Sequence, residues 1–258
     1  MIKSAFHIVL FLALLHTVPV SAQTKLCTAG VIEYEKTVNM YDFIQRKVDR
    51  DNSAFMQPAI DKYKQEHDRF RKAQSSLVFT TTRTFYSPKE DAGTSAAFFD
   101  NDAAVGQPNH VFHDLGSGLA VTQKQLFGET FLVKDSMRKI TWKITDETRE
   151  IAGFTCRRAN GLIMDSVYVV AFYTNRIPVA GGPESFSGLP GMILGVALPH
   201  LHITWFATSV IEKQPSPNNI QPPVQGRPLD NQGLRKKMND LLKGPEAYVY
   251  FSLIAYLL

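Results

Sequence analysis

The spacing of apolar and polar residues predicts a β-rich α+β domain, a curved antiparallel sheet or open barrel with one or two helices. Three observations lead there. Short segments that alternate apolar with polar residues, rich in Val, Ile, Thr and aromatics, follow one another between Gly, Pro and Asn turns. Clear helical spacing is confined to residues 59–74, with a shorter helical stretch at 234–242. The regular helix–strand alternation of a parallel α/β sheet is missing.

Taken in order, the chain opens with Lys3, an apolar run over 8–15 and small residues before Gln23, which reads as a secretory signal peptide over 1–22. That run is shorter than the roughly 20 residues of a spanning helix, so the chain is expected to be exported and membrane-proximal without crossing the bilayer. A β-rich domain is expected over 23–213. In its first strand, 28–39, Ile32, Tyr34 and Val38 share one face. A polar stretch, 46–53, leads to the helix, where Ile60, Tyr63, Lys64, His67, Phe70 and Arg71 line one side.

Residues 77–86 read as one strand ending at Ser87-Pro88, followed by a turn over 89–94 and a short strand at 95–100. A polar loop with Pro108, His110 and His113 comes next. Segments 118–127 and 129–133 read as two hairpin-like pieces separated by Gly128, and Ile140, Trp142 and Ile144 mark a half-buried strand. Residues 150–159 hold Gly153, Asn160-Gly161 reads as a tight turn, and 162–174 resumes the strand pattern. Two further strands are expected at 192–197 and 201–211. Pro215, Pro217, Pro222, Pro223 and Pro228 make 214–231 a linker or extended arm. Over 232–258, a short helix stopped at Gly244-Pro245 precedes a C-terminal apolar strand.

The stretch 171–196 is the centre of this plan. Pro190 and Gly191 fit the second and third positions of a type II turn, and the apolar residues on both sides predict that the turn packs on the core.

A net charge of +4, spread without basic blocks, argues against nucleic-acid binding. The two cysteines, Cys27 and Cys156, could bridge in an oxidising compartment. Alternatively Cys156 is a small buried apolar residue and Cys27 lies near a terminus. Ser187 and Ser117 lack the Gly-x-Ser-x-Gly elbow of a serine hydrolase, and Cys156 lacks a protease setting. No Gly-rich phosphate loop opens a helix. Asp146, Glu147 and Glu150 read as ordinary acidic turn residues. No catalytic residue or cofactor is assigned, and a hydrolase stays as an alternative. His200 and His202, two apart, would project from one face of a strand as half of a metal site, with His110 and His113 as further ligands. Phe79, Phe85, Phe98, Phe99, Phe172, Tyr173, Trp205 and Phe206 either line a concave cleft for an apolar ligand or fill the core.

Four motifs occur in sequence: IAGFTCRRA at 151–159, AFYT at 171–174, Ile177-Pro178 followed by Gly182-Pro183, and GLPGMI at 188–193. Together they resemble the GLPGLI family of exported Bacteroidetes proteins, with Met192 for leucine, Arg158 for lysine and Phe172 for tryptophan. The resemblance is most specific over 142–212. It marks Gly153, Cys156, Tyr173, Pro178, Gly182, Pro183, Gly188, Leu189, Pro190 and Gly191 as family landmarks and transfers no catalytic residue. It implies a periplasmic protein that accompanies outer-membrane TonB-dependent receptors. The expected role is noncatalytic binding or accessory work for an apolar ligand or such a receptor. Metal capture through His200 and His202 is the other reading.

Overall fold

Strand β1 (Gly30–Asn39) buries every second residue, so Ile32, Tyr34, Lys36 and Val38 form one covered row. The computed structural model describes residues 26–89, 99, 103–106, 108–126 and 128–242. Around β1 it builds a 12-stranded open sheet. The other strands are β2 (Phe70–Phe79), β3 (Arg83–Pro88), β4 (His110–Asp114), β5 (Leu119–Leu126), β6 (Glu129–Ser136) and β7 (Trp142–Ile151). They continue with β8 (Phe154–Ile163), β9 (Val167–Thr174), β10 (Met192–Leu198), β11 (Ile203–Glu212) and β12 (Arg227–Leu229).

The spatial order is β12-β6-β5-β4-β3-β2-β1-β11-β10-β9-β8-β7, which among the described residues leaves β12 and β7 as edges. Neighbours are antiparallel, except that β12 runs parallel to β6. The expected β-rich α+β class is what folds, as a sheet that stays open. The signal-peptide segment, the C-terminal strand, Phe98 and all of the expected 95–100 strand except Phe99 lie outside the described residues.

Helix α1 (Met40–Gln45) starts where the Asn39 side chain accepts from the Asp42 amide, and it buries Met40, Phe43 and Ile44. Helix α2 (Ser53–Glu66) buries Ile60 and Tyr63 and ends at His67, whose ring stacks on Tyr63 at 4.5 Å. The expected helix over 59–74 is thereby corrected. Phe70 and Arg71 belong to β2, where Phe70 pairs with Asn39 and Arg71 with Val38. Ladder bonds to β1 override the helical spacing of that stretch.

The expected single strand 77–86 is two. Thr80 and Arg83 close a hairpin between β2 and β3 through a backbone bond of 2.9 Å, and the Thr80 hydroxyl accepts from the Arg83 amide at 3.2 Å. Threonines thus make a turn where no glycine or proline announces one. A single helical turn, α3 (Ala103–Gly106), precedes β4.

Asn160-Gly161 is not a turn either. Both residues lie inside β8, and the chain reverses instead at Met164 and Asp165, each with positive φ (49° and 62°). Gly161 is there for room. A Cβ on it would stand 2.9 Å from Ile140 Cγ2 and 2.9 Å from Trp142 Cε3. Gly153, by contrast, is a turn glycine, with φ +78° after Ala152 at +49° in the β7–β8 hairpin.

The Pro-rich arm leaves β11, buries Ile220 within a 3-10 turn (Pro217–Ile220), and ends as β12 on β6. Helix α4 (Asn231–Leu241) follows, with the Asp230 carboxylate accepting from the Gly233 amide at 2.7 Å. It packs Leu234 and Met238 on Leu126, Phe131 and Val133 as a second small core.

Gly161→Ala is expected to lose about 1–3 kcal/mol of stability in urea denaturation through overpacking against Trp142. Gly161→Asn should lose at least as much. A turn glycine would tolerate that change, so an unaffected midpoint would argue against the strand assignment.

Candidate functional site

The segment between β9 and β10 folds down against the sheet and is laced to its own stem. The Met192 amide donates to the Ile177 carbonyl at 2.9 Å, Ile193 to Gly181 at 2.9 Å, and Gly188 to Ala180 at 3.2 Å. From β1, the Tyr34 hydroxyl donates to the Ile193 carbonyl at 2.6 Å. From edge strand β7, Trp142 Nε1 donates to the Ser187 carbonyl at 2.9 Å. Ile177, Val179, Phe186 and Leu189 are buried beneath the loop, whereas Asn175, Arg176, Pro178, Gly188 and Pro190 face outward.

The Leu-Pro-Gly corner is tighter than the expected type II turn. The Gly191 amide donates to the Leu189 carbonyl at 2.8 Å, a three-residue turn centred on Pro190, and Gly191 has no positive φ. Glycine is needed at 191 because a Cβ would land on the Thr174 carbonyl oxygen. Crowding selects it, where sequence reasoning invoked dihedral freedom. Gly182 is crowded in the same way, its Cβ position lying 2.7 Å from the Phe186 carbonyl.

Just after Gly182-Pro183, Glu184 takes a left-handed backbone (φ 50°) although it has a side chain, and is 4% exposed. This conformation turns its carboxylate toward the sheet, where Asn109 Nδ2 donates to Oε2 at 3.0 Å. The next residues place the Phe186 ring 5.9 Å from that of Trp205.

Around Glu184 the inner face is unexpectedly polar. Strand register sets Ser75 opposite both Tyr34 and Pro88. Asn109 and Lys124 lie one step beyond the His110–Gln123 pair. Tyr86 is two residues back along β3, with its hydroxyl among Ser75, Trp205 and Glu184. Lys36 Nζ donates to the Val105 carbonyl at 3.4 Å and sits 5.3 Å from the Trp205 ring centroid.

All of these side chains are buried: Tyr86, Asn109, Lys124, Ser75, Lys36 and Trp205. Yet Lys124 Nζ, Ser185 Oγ and Asn109 Oδ1 close no hydrogen bond with the described residues, while Ser75 and Trp205 turn to the Tyr86 hydroxyl. Burial, then the Glu184 charge, holds the Tyr86 phenol far above the usual range, so it stays a donor.

The residues singled out from sequence fall elsewhere. Cys27 and Cys156 are both buried as thiols, which fits the second of the two readings left open for them, with no bridge between the two. Their sulfurs lie near the backbone carbonyls of Ala29 (3.6 Å) and Phe154 (3.4 Å), and burial pushes the Cys156 thiol up to about 12. His200 and His202 do not share a strand face. His200 sits in the 3-10 turn Pro199–Leu201, and His202 caps it with φ 56°. His202 Nε2 accepts from Arg46 Nε at 3.0 Å, which occupies the lone pair a metal would need.

His113 and His110 lie three apart on β4, so they face opposite ways: His113 is buried, and His110 stacks on Phe85 at 6.2 Å. Among the described residues no three His, Cys, Asp or Glu side chains are spaced for a metal ion. Phe79, Tyr173 and Trp205 are fully buried core. Phe172 and Phe206 lie 6.4 Å apart, with the Arg149 guanidinium over both. Asp146 and Glu147 lie within β7, not in a turn, and pair with Arg157 and Arg158.

Lys36, Tyr86, Asn109, Lys124 and Glu184 escaped the sequence reading. Lys36 had a signal, since it continues the inward row of Ile32, Tyr34 and Val38. Lys124 had a fainter one, two residues before buried Leu126. Asn109 and Glu184 had none, because loops that meet through the fold leave no local pattern.

Burial pushes the Lys124 ammonium down to about 8, the Arg138 and Lys36 charges adding to the effect and Glu184 opposing it. An unfolded lysine keeps its proton to about 10.4. Between those values the unfolded chain holds a proton that the folded chain has released, so stability rises with pH across that window and is fully penalised below it. Lys124→Met is expected to stabilise the protein at pH 7 by on the order of 3 kcal/mol in urea denaturation, with the advantage shrinking toward pH 10. A constant difference across that range would deny the buried charge.

Residues 161–195, from the crowded Gly161 through the loop to Gly195, match the model of a family described as a protein of unknown function (Porph_ging). No curated protein matches the chain. Among solved structures, it is similar to PNGF-II in a C2 crystal form, with a TM-score of 0.50 and 14% identity over 79% of this chain and 31% of that one. A P21 form of PNGF-II gives 0.49 and 15%, with the same coverage of 79% and 31%. An uncharacterized conserved protein from Thermus thermophilus gives 0.38 and 5%, over 80% of this chain and 92% of that one. The chain therefore spans 31% of the length of the PNGF-II chain it resembles, and the likeness is one of fold. Its sequence likeness is to a family of unknown function, centred on the β9–β10 loop.

Proposed function

We propose that this chain is an exported, noncatalytic binding protein of the GLPGLI type, working on the periplasmic side of the outer membrane beside a TonB-dependent receptor. The observation that carries the reading is the two-sidedness of the 175–191 loop. Its buried side, with Ile177, Val179, Phe186 and Leu189, serves the fold. Its outward side presents Asn175, Arg176, Pro178, Gly188 and Pro190 on a stiff frame laced by backbone bonds. A rigid, exposed corner suits recognition of another protein, because little order has to be gained on contact. The loop lies within the stretch matched by the family model, which supports a role common to related chains. The inner-face rings are taken up by the core and the loop, which favours a protein partner over an apolar ligand on that face.

Fractionation of the native host is expected to place the chain in the periplasm, and chemical crosslinking to join it to a TonB-dependent receptor. Replacing Asn175, Arg176 and Pro190 together by Ser should cut that crosslink severalfold while leaving the melting temperature within a few degrees, since exposed positions contribute little stability. A receptor crosslink that survives the triple change, or a chain recovered with the cytoplasm, would count against the proposal.

A further inference from the structure

We infer that the cleft between helix α4 and the β6–β7 connection is a binding site for a phosphomonoester, its phosphate held by Arg138, Lys139 and Arg235 and its organic part laid against Met137 and Met164. The site goes beyond the docking role of the loop's outer side and does not depend on it. The cleft measures about 300 Å³, at the lower end of the range for small-molecule pockets. Both of its walls are anchored. The β6–β7 connection leaves β6 through a bond from the Met137 amide to the Gly118 carbonyl at 2.8 Å. Helix α4 begins with the Asn231 amide donating to Asp135 at 3.0 Å and the Gly233 amide to Asp230 at 2.7 Å. Arg235, one turn into that helix, is thereby set at the same cleft as Arg138 and Lys139.

Three cations from elements far apart in the chain thus meet around one cleft. The two guanidiniums are close enough to act on each other. Burial, then the Arg235 charge, pulls Arg138 down to about 10, so both stay charged at neutral pH. Asp135, the acid beside this connection in sequence, is spent on the Asn231 and Ser136 amides. Among the described residues no carboxylate pairs with Lys139 or Arg235, whereas Lys237, further along the same helix, pairs with Glu129 at 3.3 Å. Like charges held on anchored walls repel one another unless an anion stands between them. A phosphomonoester brings about two negative charges and three acceptor oxygens. That matches two guanidiniums and an ammonium better than the single charge of a carboxylate. Met137 and Met164, both half-buried, add an apolar wall that inorganic phosphate would leave unused.

The test uses the full chain labelled with 15N and titrated with phenyl phosphate, with inorganic phosphate and benzoate as comparisons at matched ionic strength. Phenyl phosphate is expected to shift the amide resonances of 136–139 and of Arg235 saturably. It should bind severalfold tighter than inorganic phosphate and about tenfold or more tighter than benzoate. Arg235→Gln should weaken it by about tenfold or more, the loss of one charge-assisted contact, and should raise the melting temperature of the unliganded chain by ending the repulsion with Arg138. Lys139→Gln should weaken it severalfold. Lys236→Gln, on the same helix but outside the cleft, should leave it unchanged. All three positions are exposed, so these variants are expected to fold. Flotation with vesicles of phosphatidic acid, but not of phosphatidylglycerol, would assign the ester to a lipid headgroup; phenyl phosphate binding without such selective flotation would assign it to a soluble molecule. A flat titration, equal affinity for benzoate or inorganic phosphate, or an equal loss in Lys236→Gln and Arg235→Gln would overturn the site, leaving these cations as solvated surface.

Discussion

The descent of the β9–β10 loop onto the sheet is the constraint on which the interior depends. It is held by main-chain bonds from Met192 and Ile193 back to Ile177 and Gly181. These are possible only because Gly191 lets the chain pass over the Thr174 carbonyl without a side chain. Once seated, the loop covers the middle of the inner face, accepts the Tyr34 hydroxyl and receives the indole of Trp142 from the sheet edge. Centre, loop and edge are thereby fastened to one another. Buried polar main chain must find partners, and here the loop finds most of them within itself.

The same descent creates the polar interior. Apolar residues at 36, 75, 86 and 124 would have given the loop an oily floor and a higher intrinsic stability. Instead the floor carries two lysines, a tyrosine and a serine, and the loop adds a carboxylate held on a left-handed backbone. Strain and unmatched polarity coincide at one place. Coincidence of that kind is characteristic of sites shaped by something other than stability.

The general architecture was legible in the sequence because strand alternation is local. The inward row of β1 and the apolar runs of β9 and β10 could be read directly. What escaped was decided at a distance. Phe70 and Arg71 keep helical spacing with Ile60 and Tyr63, yet pairing with β1 draws them into a strand. Asn160-Gly161 has the composition of a turn, yet the Trp142 ring needs the space above Gly161. The polar cluster was least legible, since Asn109 and Glu184 meet 75 residues apart. The motif stretch was recognisable as a unit because its glycines and prolines are closely spaced, although the reason for Gly191 was packing and not turn type.

The position of β1 has a consequence for how the chain acquires its structure. One side of this strand is completed early by β2, but the other waits for β11, and Glu33 receives the Thr208 hydroxyl across 175 residues. During synthesis the N-terminal half must therefore carry an unfinished strand edge until nearly the whole domain has emerged. Large loop-closure entropy precedes the central pairing, so folding is expected to be slow for the protein's size. An unfinished edge of this kind invites association with other chains, which makes the interval before β11 arrives the one in which a chaperone has most to do.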